Sequence, residues 1–206
     1  MPVLIALLLT IAGVEMDPVL TAIKNYENVR TYQVTLRSRN STPGEIIRYF
    51  YMKPGFVKME FIKPLKGAGL VYNPYTKKAT VTPFSFLKSF HFSLDPGSKL
   101  ITSAKGHRID RSDIGELLKS ARELQQKGKT DMLGEDNIGG RSAVGLDIKG
   151  EGDITVDGIH SYQLWIDRET FLPLKVSSFD VGGKLIEEVL MDDIDLNIVF
   201  PDNFFE

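Results

Sequence analysis

Tyr162-Gln-Leu-Trp-Ile-Asp-Arg-Glu-Thr-Phe-Leu-Pro-Leu-Lys175 reads as a strand, a tight polar corner and the start of a returning strand. In the first limb Tyr162, Leu164 and Ile166 share one face while Gln163, Trp165 and Asp167 share the other, the alternation of an antiparallel strand covered on one side. The second limb runs from Leu174 to Phe179, and Gly182-Gly183 turns it into a third strand over Lys184 to Met191. Three consecutive strands joined by short turns form a meander, and the rest of the chain is read outward from it.

Upstream, Asp17-Pro18 supplies an N-cap followed by proline at the first helical position, and Val19, Leu20, Ile23 and Tyr26 form an apolar stripe, which predicts a helix over Pro18–Asn28. Strands are expected at Thr31–Arg39, Glu45–Met52, Phe56–Lys63, Gly69–Asn73 and Lys78–Thr82, separated by the corners Asn40–Gly44, Lys53-Pro-Gly55 and Asn73-Pro74. Short strands in series with no long helix between them call for an antiparallel sheet. The aromatic run Pro83–Phe92 has no consistent period and reads as irregular or briefly helical. Asp113 to Gly128 is the clearest helix: Asp113 and Glu116 suit a capping box, Ile114, Leu117, Leu118, Ala121 and Leu124 line one face, and Gly128 is expected to close it. Gly134–Gly158 carries seven glycines around Ser142–Lys149 and reads as a turn-rich strand region.

Taken in order, a short helix, a run of hairpins, a central helix and a closing meander resembles the LolA-like superfamily of secreted bacterial lipoprotein carriers. The phrases that carry the resemblance are Tyr72-Asn-Pro-Tyr75, Leu164-Trp-Ile-Asp167 with Leu172-Pro-Leu174, Gly183-Lys-Leu-Ile186 and Phe200-Pro-Asp-Asn-Phe-Phe205. Gly69-Leu-Val-Tyr72, followed by Arg108-Ile-Asp-Arg-Ser-Asp-Ile-Gly115, is most similar to an uncharacterised set of secreted members. The resemblance implies an α+β fold: a single strongly curved antiparallel sheet, or half-barrel, with helices covering the concave face. In the carriers, the strand after the proline turn typically bears an arginine that helps latch the lid helices. Here that strand carries Lys58, and an ammonium cannot make the planar two-pronged hydrogen bond of a guanidinium.

The faces of such a sheet that point inward are expected to present Val34, Leu36, Phe50, Val57, Met59, Phe61, Leu70, Tyr72, Leu164, Ile166, Val176, Val189 and Met191, with Phe84, Phe86, Leu117 and Leu118 added from the covering segments. These are the candidate lipid-binding residues. At about 0.8 kcal/mol per buried methylene, an acyl chain of roughly sixteen carbons offers about 12 kcal/mol before entropic costs. The alternative is a dry, packed core on a module that senses or binds an envelope protein.

Composition is that of an ordinary globular domain, with 42% hydrophobic and 25% charged residues, and a net charge of −2 removes the simplest electrostatic argument for nucleic acid. With no cysteine there is no disulfide, thiol nucleophile or thiolate metal site, and no lipid-modified cysteine in the chain. Residues 1–15 read as a signal peptide and 16–206 as a single lipid-binding domain. The apolar run Val3–Val14 is short of the ~20 residues a membrane span needs, and Glu15 and Asp17 end it abruptly after the small pair Ala12-Gly13. A buried amino-terminal helix is the competing reading, because no Lys or Arg precedes the run.

His91, His107 and His160 show no paired metal-ligand spacing, and His107 beside Asp110 and Asp113 is the best catalytic cluster, read as a solvated loop. Asp192-Asp-Ile-Asp195 lacks the glycine and further oxygens of a Ca²⁺ loop, Gly140 stands where a phosphate loop needs lysine, and no Gly-x-Ser-x-Gly elbow occurs. The expectation is a monomeric, exported, non-enzymatic binder of the periplasm or cell envelope. It needs no catalytic residue, metal or cofactor; its partner is a lipid or lipoprotein acyl chain and, in the alternative, an envelope protein.

Overall fold

The computed structural model describes residues 17–39, 44–83, 92–103 and 106–206. The expected signal peptide, Phe84, Phe86 and His91 lie outside the described residues. Along the chain run α1 (Pro18–Glu27), β1 (Thr31–Ser38), β2 (Glu45–Met52), β3 (Phe56–Lys63), β4 (Gly69–Asn73), β5 (Lys78–Thr82), β6 (Phe92–Leu94), a 3-10 turn (Ile109–Arg111), α2 (Ile114–Gln126), β7 (Gly128–Ile138), β8 (Arg141–Gly150), β9 (Ser161–Asp167), β10 (Pro173–Phe179) and β11 (Leu185–Leu196). No helix among the described residues is long and apolar enough to cross a membrane.

The strands form one eleven-stranded sheet in the order β6-β5-β4-β3-β2-β1-β11-β10-β9-β8-β7, and each neighbouring pair is antiparallel. Two meanders, β1–β6 and β7–β11, are therefore joined where the first strand meets the last. The chain leaves one outer edge at β6 and re-enters at the other edge, β7, so the segment between them must cross a face of the sheet. That requirement lays α2 along the concave side, and the result is an α+β half-barrel open between β6 and β7.

Inward faces follow from the register. Val34 stands opposite Tyr49, Leu36 opposite Met191, Val176 opposite Leu164, and Leu164 opposite Leu146. Against them α2 buries Ile114, Leu118, Ala121 and Leu124, while α1 buries Val19, Ala22 and Tyr26. Each of the larger aliphatic side chains among these contributes about 1.5–3 kcal/mol when taken fully from water.

The helices are antiparallel and fastened at both ends through their N-caps. Asp17 caps α1, accepting from the amides of Val19 and Leu20, and also accepts from Arg122 Nη1 of α2 at 2.6 Å. Asp113 caps α2, accepting from the amides of Gly115 and Glu116, and also accepts the Tyr26 hydroxyl of α1 at 2.9 Å. Only half of the expected capping box forms, because the Glu116 carboxylate turns outward to Lys119 and Arg111.

Several expectations need correction. Phe50 faces away from the helices: it stands opposite Gln33 and Lys58, on the face alternate to Tyr49 and Tyr51. There it is covered by the carboxy-terminal turn, with ring centroids 6.1 Å from Phe200 and 5.1 Å from Phe204. Strand β2 is apolar on both sides because both sides are covered. Gly128 does not terminate α2. It opens β7, and a Cβ there would lie 1.9 Å from the Lys149 carbonyl oxygen, so the backbone itself is the packing surface. Lys127 supplies the C-cap. The turn-rich region proves to be a hairpin, β7 with β8, and β7 lacked a visible signal because it is a largely exposed, polar edge strand. Strand β11 also runs further than expected and includes Asp192–Asp195.

Candidate functional site

A cleft of about 580 Å³ opens between the two helices and the adjoining ends of β2, β3 and β4. The sheet supplies its floor with Tyr51, Val57 and Tyr72, α1 contributes Ile23 and Tyr26, and the 3-10 turn and α2 contribute Ile109 and Leu118. Around this apolar and aromatic surface stand Glu27, Lys53, Asp110, Asp113, Glu116 and Lys119.

A ladder of tyrosines holds the walls. Tyr32 stacks between Tyr49 and Tyr51 at centroid distances of 5.9 and 5.0 Å, and Tyr26 packs 6.3 Å from both Tyr32 and Tyr51. Their hydroxyls converge on the start of α2. Tyr32 Oη accepts the Ile114 amide at 3.1 Å, Tyr49 Oη lies 3.0 Å from Ser112 Oγ, and Tyr26 Oη donates to Asp113. Burial is the main reason that the hydroxyls of Tyr26, Tyr32 and Tyr49 sit well above the usual phenol range, with the Asp113 carboxylate adding to the effect. Burial also raises Tyr51 and Tyr72. Glu116 is held below the ordinary carboxylate range, first by its hydrogen bond from Lys119.

Of the residues expected to bind lipid, Val57 and Tyr72 border this cleft, and Leu118 lies beneath its wall with no accessible surface of its own. Val34, Leu70, Leu164, Ile166 and Val176 lie in the closed core, where Leu118 and Leu164 have no accessible surface. Leu36, Met59, Phe61, Leu117 and Met191 are half-buried against that core, and Val189 is half-buried on the same face. Ile23, Tyr26, Tyr51, Lys53 and Ile109 escaped the sequence reading. The repeat Tyr49-x-Tyr51 beside Tyr32 was the available signal, but the apolar run through Phe50 hid which parity faces inward.

Lys58 also lies on the convex face. Its Nζ donates to the Phe204 carbonyl at 3.2 Å and sits 4.1 Å from the centroid of that ring, so it clasps the carboxy-terminal turn and not a helix. His107 pairs with Glu187 at 2.8 Å, Asp110 with Arg108, and Asp113 with Tyr26 and the α2 amides, so each member of the best catalytic cluster is engaged with separate partners. His160 is buried and its Nδ1 donates to the Ile154 carbonyl. Asp192, Asp193 and Asp195 meet Arg37, Thr35 and Gln33 across the bulge between β1 and β11. Among the described residues no three His, Asp or Glu side chains converge as a metal site.

A half-barrel with two helices laid in its hollow and a cleft beside them is the fold that the LolA-like resemblance implied. The model of the MucB/RseB N-terminal domain matches residues 93–204, more than half of the chain. This chain belongs to that family. Among solved structures it is similar to an uncharacterized conserved protein from Thermus thermophilus, with 15% identity over 90% of this chain and 93% of that one and a TM-score of 0.53. It is also similar to MucB in the Pseudomonas aeruginosa MucA/MucB complex, with 15% identity, a TM-score of 0.56 and coverage of 91% of this chain but 59% of that one. The Mycobacterium tuberculosis lipoprotein LppX matches at 14% identity, TM-score 0.51, over 90% of this chain and 99% of that one. At such identities the likeness is one of fold. No curated protein matches the chain.

Proposed function

We propose that this chain is an exported, non-enzymatic binding module of the bacterial envelope that takes the acyl chain of a lipid or lipoprotein into the cleft between α1, α2 and β2–β4. The observation that carries the reading is the union of an apolar, aromatic floor with a charged rim, which suits a molecule with a tail and a head. The cleft volume of about 580 Å³ falls within the roughly 300–1,000 Å³ usual for small-molecule sites. Binding of this kind draws on burial of methylenes and needs no covalent step. The test is titration of the full chain with a fluorescent fatty acid. Saturable uptake is expected, and Ile23→Trp, which fills the cleft from α1, should abolish it while leaving the far-ultraviolet circular dichroism unchanged. A domain that never takes up the probe, and yields no lipid to organic extraction, would rule the reading out.

A second reading has its own support. Beneath α2 the interior is dry and closed, with Leu118, Ala121, Leu124, Leu146, Ile148 and Leu164 all at 0% exposure. That packing suits an envelope module whose surface recognises a protein. A protein partner that still binds Ile23→Trp at full affinity would favour it.

A further inference from the structure

We infer that the open edge of β7 pairs with the same edge of a second copy of this chain, antiparallel and centred on Thr130. The two outer edges of the sheet differ: β6 is three residues long and β7 eleven, and no strand among the described residues pairs with the outer side of β7. The direction of the β7 backbone groups follows from its neighbours. The Lys127 carbonyl accepts from the Glu151 amide, whereas the Gly150 amide donates away from β7, to the His160 carbonyl. Alternation along an antiparallel ladder then turns Lys129 and Asp131 toward β8 and leaves the amides and carbonyls of Gly128, Thr130 and Met132 aimed at the open edge. The regular run stops at a bulge between Met132 and Gly134, so an added strand pairs with Gly128–Met132.

Side-chain chemistry selects the partner. In the β7–β8 register Lys129 stands opposite Lys149 and Asp131 opposite Asp147, like charge facing like, which is unfavourable. An antiparallel copy centred on Thr130 sets Lys129 opposite the partner's Asp131, and Asp131 opposite the partner's Lys129. Both fall at non-hydrogen-bonded pairs, where facing side chains come closest. Lys129 Nζ already lies 3.1 Å from Asp131 of its own chain, and the pairing closes this contact into a ring of four alternating charges. Charged residues on an exposed edge ordinarily keep other strands away; here the same charges admit a strand that carries the pattern in reverse. At the centre stands Thr130, whose Oγ1 is the one buried side-chain polar atom without a hydrogen-bond partner among the described residues. Thr130 as a whole is only half-buried, so rotation about χ1 brings the hydroxyl to the edge, where it meets its counterpart on the two-fold axis and each can donate or accept. Met132, 57% exposed, falls opposite the partner's Gly128, which has no side chain to obstruct it. No residue of the pairing lines the cleft, so the inference is independent of the acyl-chain reading.

The experiment is sedimentation equilibrium of the full chain up to roughly 1 mM, because a short edge-to-edge contact is weak. A reversible monomer–dimer equilibrium is expected. Lys129→Asp sets carboxylates opposite one another and should weaken the dimer by roughly tenfold or more, as should Asp131→Lys. The double variant Lys129→Asp/Asp131→Lys restores opposite charges across the axis and should dimerise like the parent chain, a recovery that a different register would not give. Thr130→Pro deletes an amide that points to the edge and not to β8, so it should keep the circular dichroism of the parent chain and abolish the dimer. A chain that stays monomeric across this range would overturn the inference. So would a dimer indifferent to Lys129→Asp, or one that the charge swap fails to restore.

Discussion

Gly115 illustrates how one residue sets the distance between the helices. A Cβ at this position would stand 2.5 Å from Tyr26 Cε1, so the tyrosine ring lies directly on the first turn of α2 and its hydroxyl reaches Asp113. Gly115→Ala should push the two helices apart and cost about 1–3 kcal/mol, the usual range for overpacking. Urea unfolding would read this as a lower midpoint at unchanged slope. Asp167 shows the same economy in the closing meander. Its buried carboxylate accepts from Arg141 Nη2, the Thr170 amide and Thr170 Oγ1, all within 2.8 Å, and so shapes the corner that opens into β10. The polar tetrapeptide in that corner was legible as a turn, whereas the reach of Arg141 from β8 was not.

The tyrosine ladder couples β1 and β2 to the start of α2, and it makes the molecule sensitive to alkali. Tyr26, Tyr32 and Tyr49 have hydroxyls raised well above their ordinary value in the folded chain, chiefly by burial, while in the unfolded chain they ionise near pH 10. Below that pH both states hold the protons and the ladder's contribution is complete. Above it the unfolded chain releases protons that the folded chain keeps, so stability falls by about 1.4 kcal/mol per pH unit for each such tyrosine. Unfolding free energy measured from pH 8 upward should therefore be flat to about pH 10 and then drop steeply. Tyr49→Phe should make the drop shallower by one residue's share. Tyrosinate absorbance appearing before unfolding would contradict this account. Helix and strand positions themselves were legible from the sequence, since caps, period and turn residues act over a few positions. Strand β7 was not, because its pairing with β8 rests on backbone contacts at Gly128 and on no apolar alternation of its own.

The half-barrel uses both of its faces. On the concave side α2 and α1 seal the core and leave the cleft at their joint; on the convex side Phe200, Phe204 and Phe205 fold over Phe50 and Phe56. Phe205 is 7% exposed, and Phe205→Ala should cost about 3 kcal/mol, visible as a lower thermal midpoint. The same variant should leave uptake of a fluorescent fatty acid unchanged, because sheet and core separate the two faces. A parallel loss of uptake would place the binding surface on the convex side.

Local chemistry was enough to establish the class of this protein. Alternating side chains, prolines and glycines at the corners and two capped helices specify an antiparallel sheet with covering helices, because each of these signals acts within a few residues. Which face of β2 turns inward, where Lys58 reaches and which residues border a cleft were settled only in the folded chain. Phe50 is apolar for the sake of Phe200 and Phe204, far along the chain, and the cleft draws its walls from α1, α2 and three strands. Contacts between segments so distant in sequence leave no periodicity to read. They exist because β1 pairs with β11 and because the chain must cross the sheet to travel from one edge to the other.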